Sequence, residues 1–132
     1  MSGYFVDTSL WAAFLLRSEP FHDKAVSLLD QARKKGWTIV TTNYVIAELV
    51  ALLTSPMRVP RREQVRIIET FRSASWIRIV HVDPAQEGAA WNLLASHDDK
   101  KRSLVDCASF VIMREHAIAA ALTTDHHFEQ AG

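Results

Sequence analysis

Gly3-Tyr4-Phe5-Val6-Asp7-Thr8-Ser9 is the stretch on which the architecture turns. Its aromatic and β-branched side chains make residues 3–7 a short strand that ends on an acid. Thr8 and Ser9 carry hydroxyls suited to cap a helix, and Leu10 to Leu16 supply its apolar body before the Glu19-Pro20 break. The same alternation repeats outward along the chain. Ala25, Val26, Leu28, Leu29 and Ala32 recur at helical spacing between Phe21 and Lys35, and Gly36 closes that helix. Residues 37–41 then read as a second strand, and Asn43 as the cap of a helix from Tyr44 to Leu53. After the basic stretch Arg58-Val59-Pro60-Arg61-Arg62 come a helix over 63–74, a strand over 77–82 and a helix from Asp83-Pro84 to Ser96. Ser103 caps a further helix to His116. Residues 119–123 are expected as a fourth strand, although their alanines also suit a helix. Strands alternating with helices predict one α/β domain over residues 1–132. Its form is a three-layer α/β/α sandwich around a parallel sheet of four to five strands.

The composition agrees with one soluble core. The 132 residues are 48% hydrophobic and 23% charged, and the length suits a single domain. A lone cysteine excludes an internal disulfide framework and a multi-cysteine zinc site. No apolar run reaches the roughly 18 residues of a membrane span, and no signal-peptide pattern opens the chain, so a cytoplasmic protein without membrane contact is expected. Fifteen Lys and Arg balance fifteen Asp and Glu, and nothing in that sum announces a polyanionic partner.

The placement of four acids says more. Asp7 is the only charged Asp, Glu, Lys or Arg in the first sixteen residues; Glu48 stands alone between Lys35 and Arg58. Asp106 is alone between Arg102 and Arg114, and Asp125 between Glu115 and Glu129. An ionised carboxylate in apolar surroundings must be hydrogen-bonded, paired, protonated or metal-bound. The topology sets Asp7 and Asp125 at the carboxyl ends of two strands. It sets Glu48 and Asp106 near the starts of two helices flanking the same crevice. Acids converging there repel one another, and a hard divalent cation such as Mg²⁺ or Mn²⁺ relieves the repulsion. Structural roles stand beside this reading: Asp106 with Ser103 fits a capping box, Asp125 can cap a terminal helix, and Asp7 can simply end a strand.

At this point four segments resemble the acidic motifs of PIN-domain nucleases. They are Tyr4-Phe5-Val6-Asp7-Thr8-Ser9, Thr42-Asn43-Tyr44-Val45-Ile46-Ala47-Glu48-Leu49, Ser103-Leu104-Val105-Asp106-Cys107-Ala108-Ser109 and Leu122-Thr123-Thr124-Asp125-His126-His127-Phe128. They occur in order over essentially the whole chain, and the small prokaryotic VapC-like proteins are the subgroup most resembled. Many of those are toxins of toxin–antitoxin pairs. The resemblance implies a metal-dependent ribonuclease with Asp7, Glu48, Asp106 and Asp125 as its catalytic and metal-binding acids. It makes Ser9, Asn43, Ser103 and Thr123 candidates for fixing carboxylates or water. Two departures are visible. Relatives usually continue past the position of Gly132 into a final short strand, so either the sequence is trimmed or that edge is absent. The loop before Ser103 has Lys101-Arg102 where an acid and an aromatic are frequent.

The chemistry so implied is hydrolysis of single-stranded RNA to 5′-phosphate and 3′-hydroxyl ends. Arg58, Arg61, Arg62, Lys100, Lys101 and Arg102 are the available phosphate contacts, although basic loop residues are often merely solvated. The alternative is a non-catalytic nucleic-acid-binding or regulatory PIN-like module. Haloacid-dehalogenase-like phosphatases also begin with a strand ending in Asp, but they need a second Asp where this chain has Ser9. His126-His127 read as structural or solvent-facing, Cys107 as a small core residue, and Trp11, Trp37, Trp76 and Trp91 as core or interface residues rather than base-stacking platforms. Apolar surface on Leu10–Leu16 and Tyr44–Leu53 is compatible with a homodimer or with a bound antitoxin segment.

Overall fold

The computed structural model describes residues 3–96, 101–118 and 120–122. In chain order the elements are β1 (Gly3–Val6), α1 (Thr8–Leu15), α2 (His22–Lys34), β2 (Thr38–Thr42), α3 (Asn43–Thr54) and α4 (Arg61–Ser73). They continue with β3 (Ile77–Val80), α5 (Pro84–Ser96), α6 (Leu104–Glu115) and β4 (Ala121–Leu122). All strand pairs are parallel, in the order β3-β2-β1-β4. Phe5 lies opposite both Val40 and Ala121, and Val40 opposite Arg78. Helices flank this sheet, giving the expected α/β/α sandwich. The alanine-rich segment forms a strand at Ala121–Leu122, while Ala119 and Thr123 lie outside the described residues.

A parallel sheet is covered on both faces, so the middle residues of its central strands are buried. Phe5, Val6, Ile39 and Val40 are accordingly buried. Trp11 of α1 is fully buried against Phe71 of α4, with ring centroids 4.4 Å apart. Its indole N–H donates to Thr41 Oγ1 at 3.2 Å, and Thr41 Oγ1 in turn donates to the Val6 carbonyl at 3.3 Å. No polar atom of that core contact is left unsatisfied, which is what burial of a tryptophan requires. A second cluster of Ala90, Cys107, Ala108 and Val111 joins α5 to α6.

Strand order fixes where a site can form. The chain moves outward from β1 through β2 to β3, then returns to the other side of β1 as β4. The reversal falls at β1, and the crevice beyond its carboxyl end is the natural binding position of an open α/β sheet. Asp7 is the residue at that end.

Three local expectations are corrected. Asp7, rather than Thr8 or Ser9, is the N-cap of α1 and accepts from Leu10 N–H. Thr42 rather than Asn43 caps α3, through Val45 N–H at 3.1 Å. Glu48 stands near the middle of α3 rather than at its start. Gly36 does close α2; its φ of 72° is the left-handed conformation that glycine adopts without steric cost.

Candidate active site

The carboxyl end of β1 opens into a cleft of about 300 Å³, walled by α1, α3 and α6. Asp7, Glu48 and Asp106, which are 41 and 58 residues apart in sequence, all line it. Each helix contributes through its periodicity. Val45, Glu48 and Leu52 form one stripe of α3, and Val105, Asp106 and Ser109 one stripe of α6.

Each acid is held by a different device. Asp7 is only 7% exposed, and its Oδ1 accepts from Leu10 N–H at 3.1 Å and from Ser9 Oγ at 3.0 Å. Asp106 and Ser103 form a reciprocal capping box. Ser103 Oγ accepts from Asp106 N–H at 3.1 Å, and Asp106 Oδ2 accepts from Ser103 N–H at 3.1 Å. Glu48 Oε1 accepts from Thr8 Oγ1 at 2.5 Å, a contact that ties α1 to α3. The remaining oxygens of Glu48 and Asp106 have no hydrogen-bond partner among the described residues. Neither Glu48 nor Asp106 forms an ion pair with a described Lys or Arg; the two ion pairs among the described residues are Lys34–Asp30 and Arg66–Glu63.

The amino ends of α1 and α6 both border the cleft, since their caps Asp7 and Ser103 line it. Helix amino termini carry partial positive charge, which favours negative groups there. That field offsets only part of three carboxylates in one 300 Å³ space. The donor set is hard oxygen throughout, the chemistry that Mg²⁺ and Mn²⁺ prefer. Among the described residues no three acids, histidines or cysteines already stand at metal-ligating proximity. Asp125 and Thr123, the remaining candidate acid and its neighbour, lie outside the described residues.

The other candidates divide. Ser9 and Ser103 line the cleft. Asn43 does not; its Oδ1 accepts from Val82 N–H at 2.8 Å and ties α3 to the segment after β3. Arg102 precedes the cleft residue Ser103 and lies over the Phe110 ring, 4.7 Å from its centroid. Lys101 is exposed beside it, and Lys100 is outside the described residues. Arg58, Arg61 and Arg62 are exposed and do not wall the cleft; Arg61 donates instead to Gln64 Oε1. Burial pushes the Cys107 thiol above its usual pKa, with Arg102 lowering it and Asp106 raising it to smaller extents.

Two cleft residues escape a reading of the sequence. Thr8 is read there only as a capping hydroxyl, and nothing in the sequence links it to Glu48, forty positions away. Ser109 had a signal, since it lies three residues after Asp106 on the same helical stripe. Its hydroxyl donates to the Val105 carbonyl at 2.9 Å.

Comparison with known proteins identifies the family. The PIN-domain family pattern matches residues 4–132. The chain is 34% identical over 128 residues to the 23S rRNA-specific endonuclease VapC20 of Mycobacterium tuberculosis, covering 97% of this chain and 93% of that protein. The crystal structure of Mycobacterium tuberculosis VapC20, described as a sarcin-ricin loop cleaving toxin, superposes with a TM-score of 0.84. That match has 32% identity and covers 94% of this chain and 91% of that one. FitAcB from Neisseria gonorrhoeae shares the fold at a TM-score of 0.63 and 17% identity, over 92% and 87% of the two chains. With its strand order, its acidic cleft and these matches in hand, the chain belongs to the PIN-domain family.

Proposed function

We propose that the protein is a metal-dependent endoribonuclease that hydrolyses single-stranded RNA, acting as the toxin of a toxin–antitoxin pair. The observation that carries this reading is the convergence of Asp7, Glu48 and Asp106 on one cleft at the carboxyl end of β1. The endonuclease named among its relatives supports RNA as the substrate. Asp7, Glu48 and Asp106, completed by Asp125, are the residues that would hold Mg²⁺ or Mn²⁺. A bound cation of this kind supplies charge neutralisation and an acidified water.

The chain's own groups perform the rest. The capping box fixes the Asp106 carboxylate, and Leu10 N–H with Ser9 Oγ fixes that of Asp7. Thr8 holds one oxygen of Glu48, leaving the other to accept a proton from the attacking water and orient it. Lys101 and Arg102, beside Ser103, meet the phosphates of the RNA strand. A second copy of the chain or an antitoxin is its proposed protein partner; the apolar residues Leu10, Trp11, Ala12 and Ala13 of α1 and Val45, Leu49 and Leu53 of α3 are themselves buried in the core.

The test is cleavage of a labelled single-stranded RNA by stoichiometric enzyme. Cleavage is expected with Mn²⁺ or Mg²⁺, none with EDTA, and none by Asp7→Asn. Full activity in Asp7→Asn would sink the assignment, and RNA bound but never cut would identify a binding module instead.

A further inference from the structure

A groove of about 600 Å³ lies at the amino ends of β2 and β3, the opposite end of the sheet from the acidic cleft. Its walls carry Arg33, Lys34 and Arg78 against the single carboxylate of Asp30, together with Trp37 and Trp76. The three cations are exposed, and both indoles are half-buried. Each ring is backed by the core. Trp37 stacks on Tyr4 with centroids 4.5 Å apart and planes 24° from parallel, and Trp76 packs beside Trp11 and Phe14 at 6.2 and 6.1 Å. The Arg33 guanidinium lies over Trp76, 4.3 Å from its centroid.

Structural duties account for part of this charge. Arg33 and Lys34 sit in the last turn of α2, where cations offset the helix dipole, and Lys34 pairs with Asp30 at 3.4 Å. A charge on the edge strand β3 discourages strand pairing, which suits Arg78. Neither duty requires two core-backed tryptophans beside the cations. Nor does dipole compensation need Arg33 to be spread over an indole ring. Arg78 has no ion-pair partner among the described residues, and the exposed Lys34–Asp30 pair is weak enough to yield to a phosphate.

Aromatic faces and planar guanidinium groups interleaved with cations are the composition that receives unstacked bases and their phosphates. We infer that this groove is an exosite for single-stranded RNA, holding a segment of substrate remote from the cleft. The inference rests on the RNA-cleaving reading of the acidic cleft. A base stacks on the outer face of the Arg33 guanidinium, already held flat by Trp76, while Lys34 and Arg78 contact phosphates. Four strand residues at about 3.3 Å each separate the two sites by on the order of 13 Å along the sheet. A short RNA therefore occupies the cleft alone, and a longer one gains affinity by engaging both.

The test compares the full chain with its Arg33→Gln/Arg78→Gln variant on an RNA 5-mer and an RNA 20-mer. For the 20-mer, KM is expected to rise about tenfold with kcat unchanged. The salt slope of binding should fall by about 0.7, for the one phosphate contact that Arg78 makes. Cleavage of the 5-mer is expected to be unaffected. Unchanged KM and salt slope for the 20-mer would overturn the exosite while leaving the nuclease reading intact. A wild-type chain that cuts neither RNA overturns the nuclease reading instead. The exosite is then judged by 20-mer binding in EDTA, where loss of affinity in the variant supports it and equal affinity overturns it. Independently of the variant's folding, the 20-mer should quench tryptophan fluorescence of a Trp91→Phe chain. Quenching by poly-glutamate with no response to RNA would mark a surface for an acidic protein and overturn the proposal.

Discussion

Asp7 has two duties that one substitution separates. It caps α1 through Leu10 N–H, and it lines the acidic cleft. Asn caps a helix as well as Asp does, so Asp7→Asn is expected to unfold within about 0.5 kcal/mol of the wild type while RNA cleavage is lost. Urea titration and the cleavage assay read the two separately. Thr8→Val keeps the shape of the side chain but removes the donor to Glu48. Disturbing a group that orients a metal-site carboxylate costs about 10- to 100-fold, and kcat of the variant should fall in that range. Cys107 is buried between α5 and α6 with its thiol pKa raised. Thiolate is the reactive form, so labelling of the native protein by iodoacetamide at neutral pH should be much slower than after denaturation. The isolation of Asp7, Glu48 and Asp106 was legible in the sequence because each is the only charged residue in a stretch of ten or more otherwise uncharged, largely apolar residues. The hydroxyl that holds Glu48 was not, because its partnership depends on how α1 packs against α3.

Helices and strands were legible where period and punctuation agreed. Gly36 after Lys34-Lys35 marked the end of α2, and its φ of 72° shows why glycine stands there. A Cβ at this position would meet nothing within 4 Å, so Gly36→Ala should destabilise through backbone strain alone, by about 1 kcal/mol in thermal or urea unfolding. The Ser103 capping box was likewise readable from its spacing, and Ser103→Ala should cost about 1 kcal/mol. Caps after strands were harder. Thr42 ends β2 and caps α3 at once, so a hydroxyl that looks like a strand residue does the capping. Asn43, the better capping residue by type, is released to bind Val82 N–H across the fold. Local preference could not distinguish these two, because the choice depends on where β3 leads the chain.

For the whole molecule, a net charge of zero conceals segregation. Setting the four isolated acids aside leaves fifteen cations against eleven acids. The described part of the acidic cleft is reached at one end of the sheet, while a basic, aromatic groove lies at the other. Among the described residues no helix is long and apolar enough to cross a membrane. Topology made the cleft legible in outline, since alternating strands and helices brought distant acids to one crevice. The distribution of cations was less legible: Arg58, Arg61 and Arg62 look equivalent to Lys101 and Arg102 in sequence, yet only the latter pair adjoins a cleft residue. Anomalous diffraction from crystals soaked in Mn²⁺ tests the central claim most directly. The account predicts manganese in the cleft bounded by Asp7, Glu48, Asp106 and Asp125, with carboxylate oxygens at about 2–2.6 Å from the peak. Acids lying more than about 10 Å apart, or manganese bound only elsewhere, would contradict it.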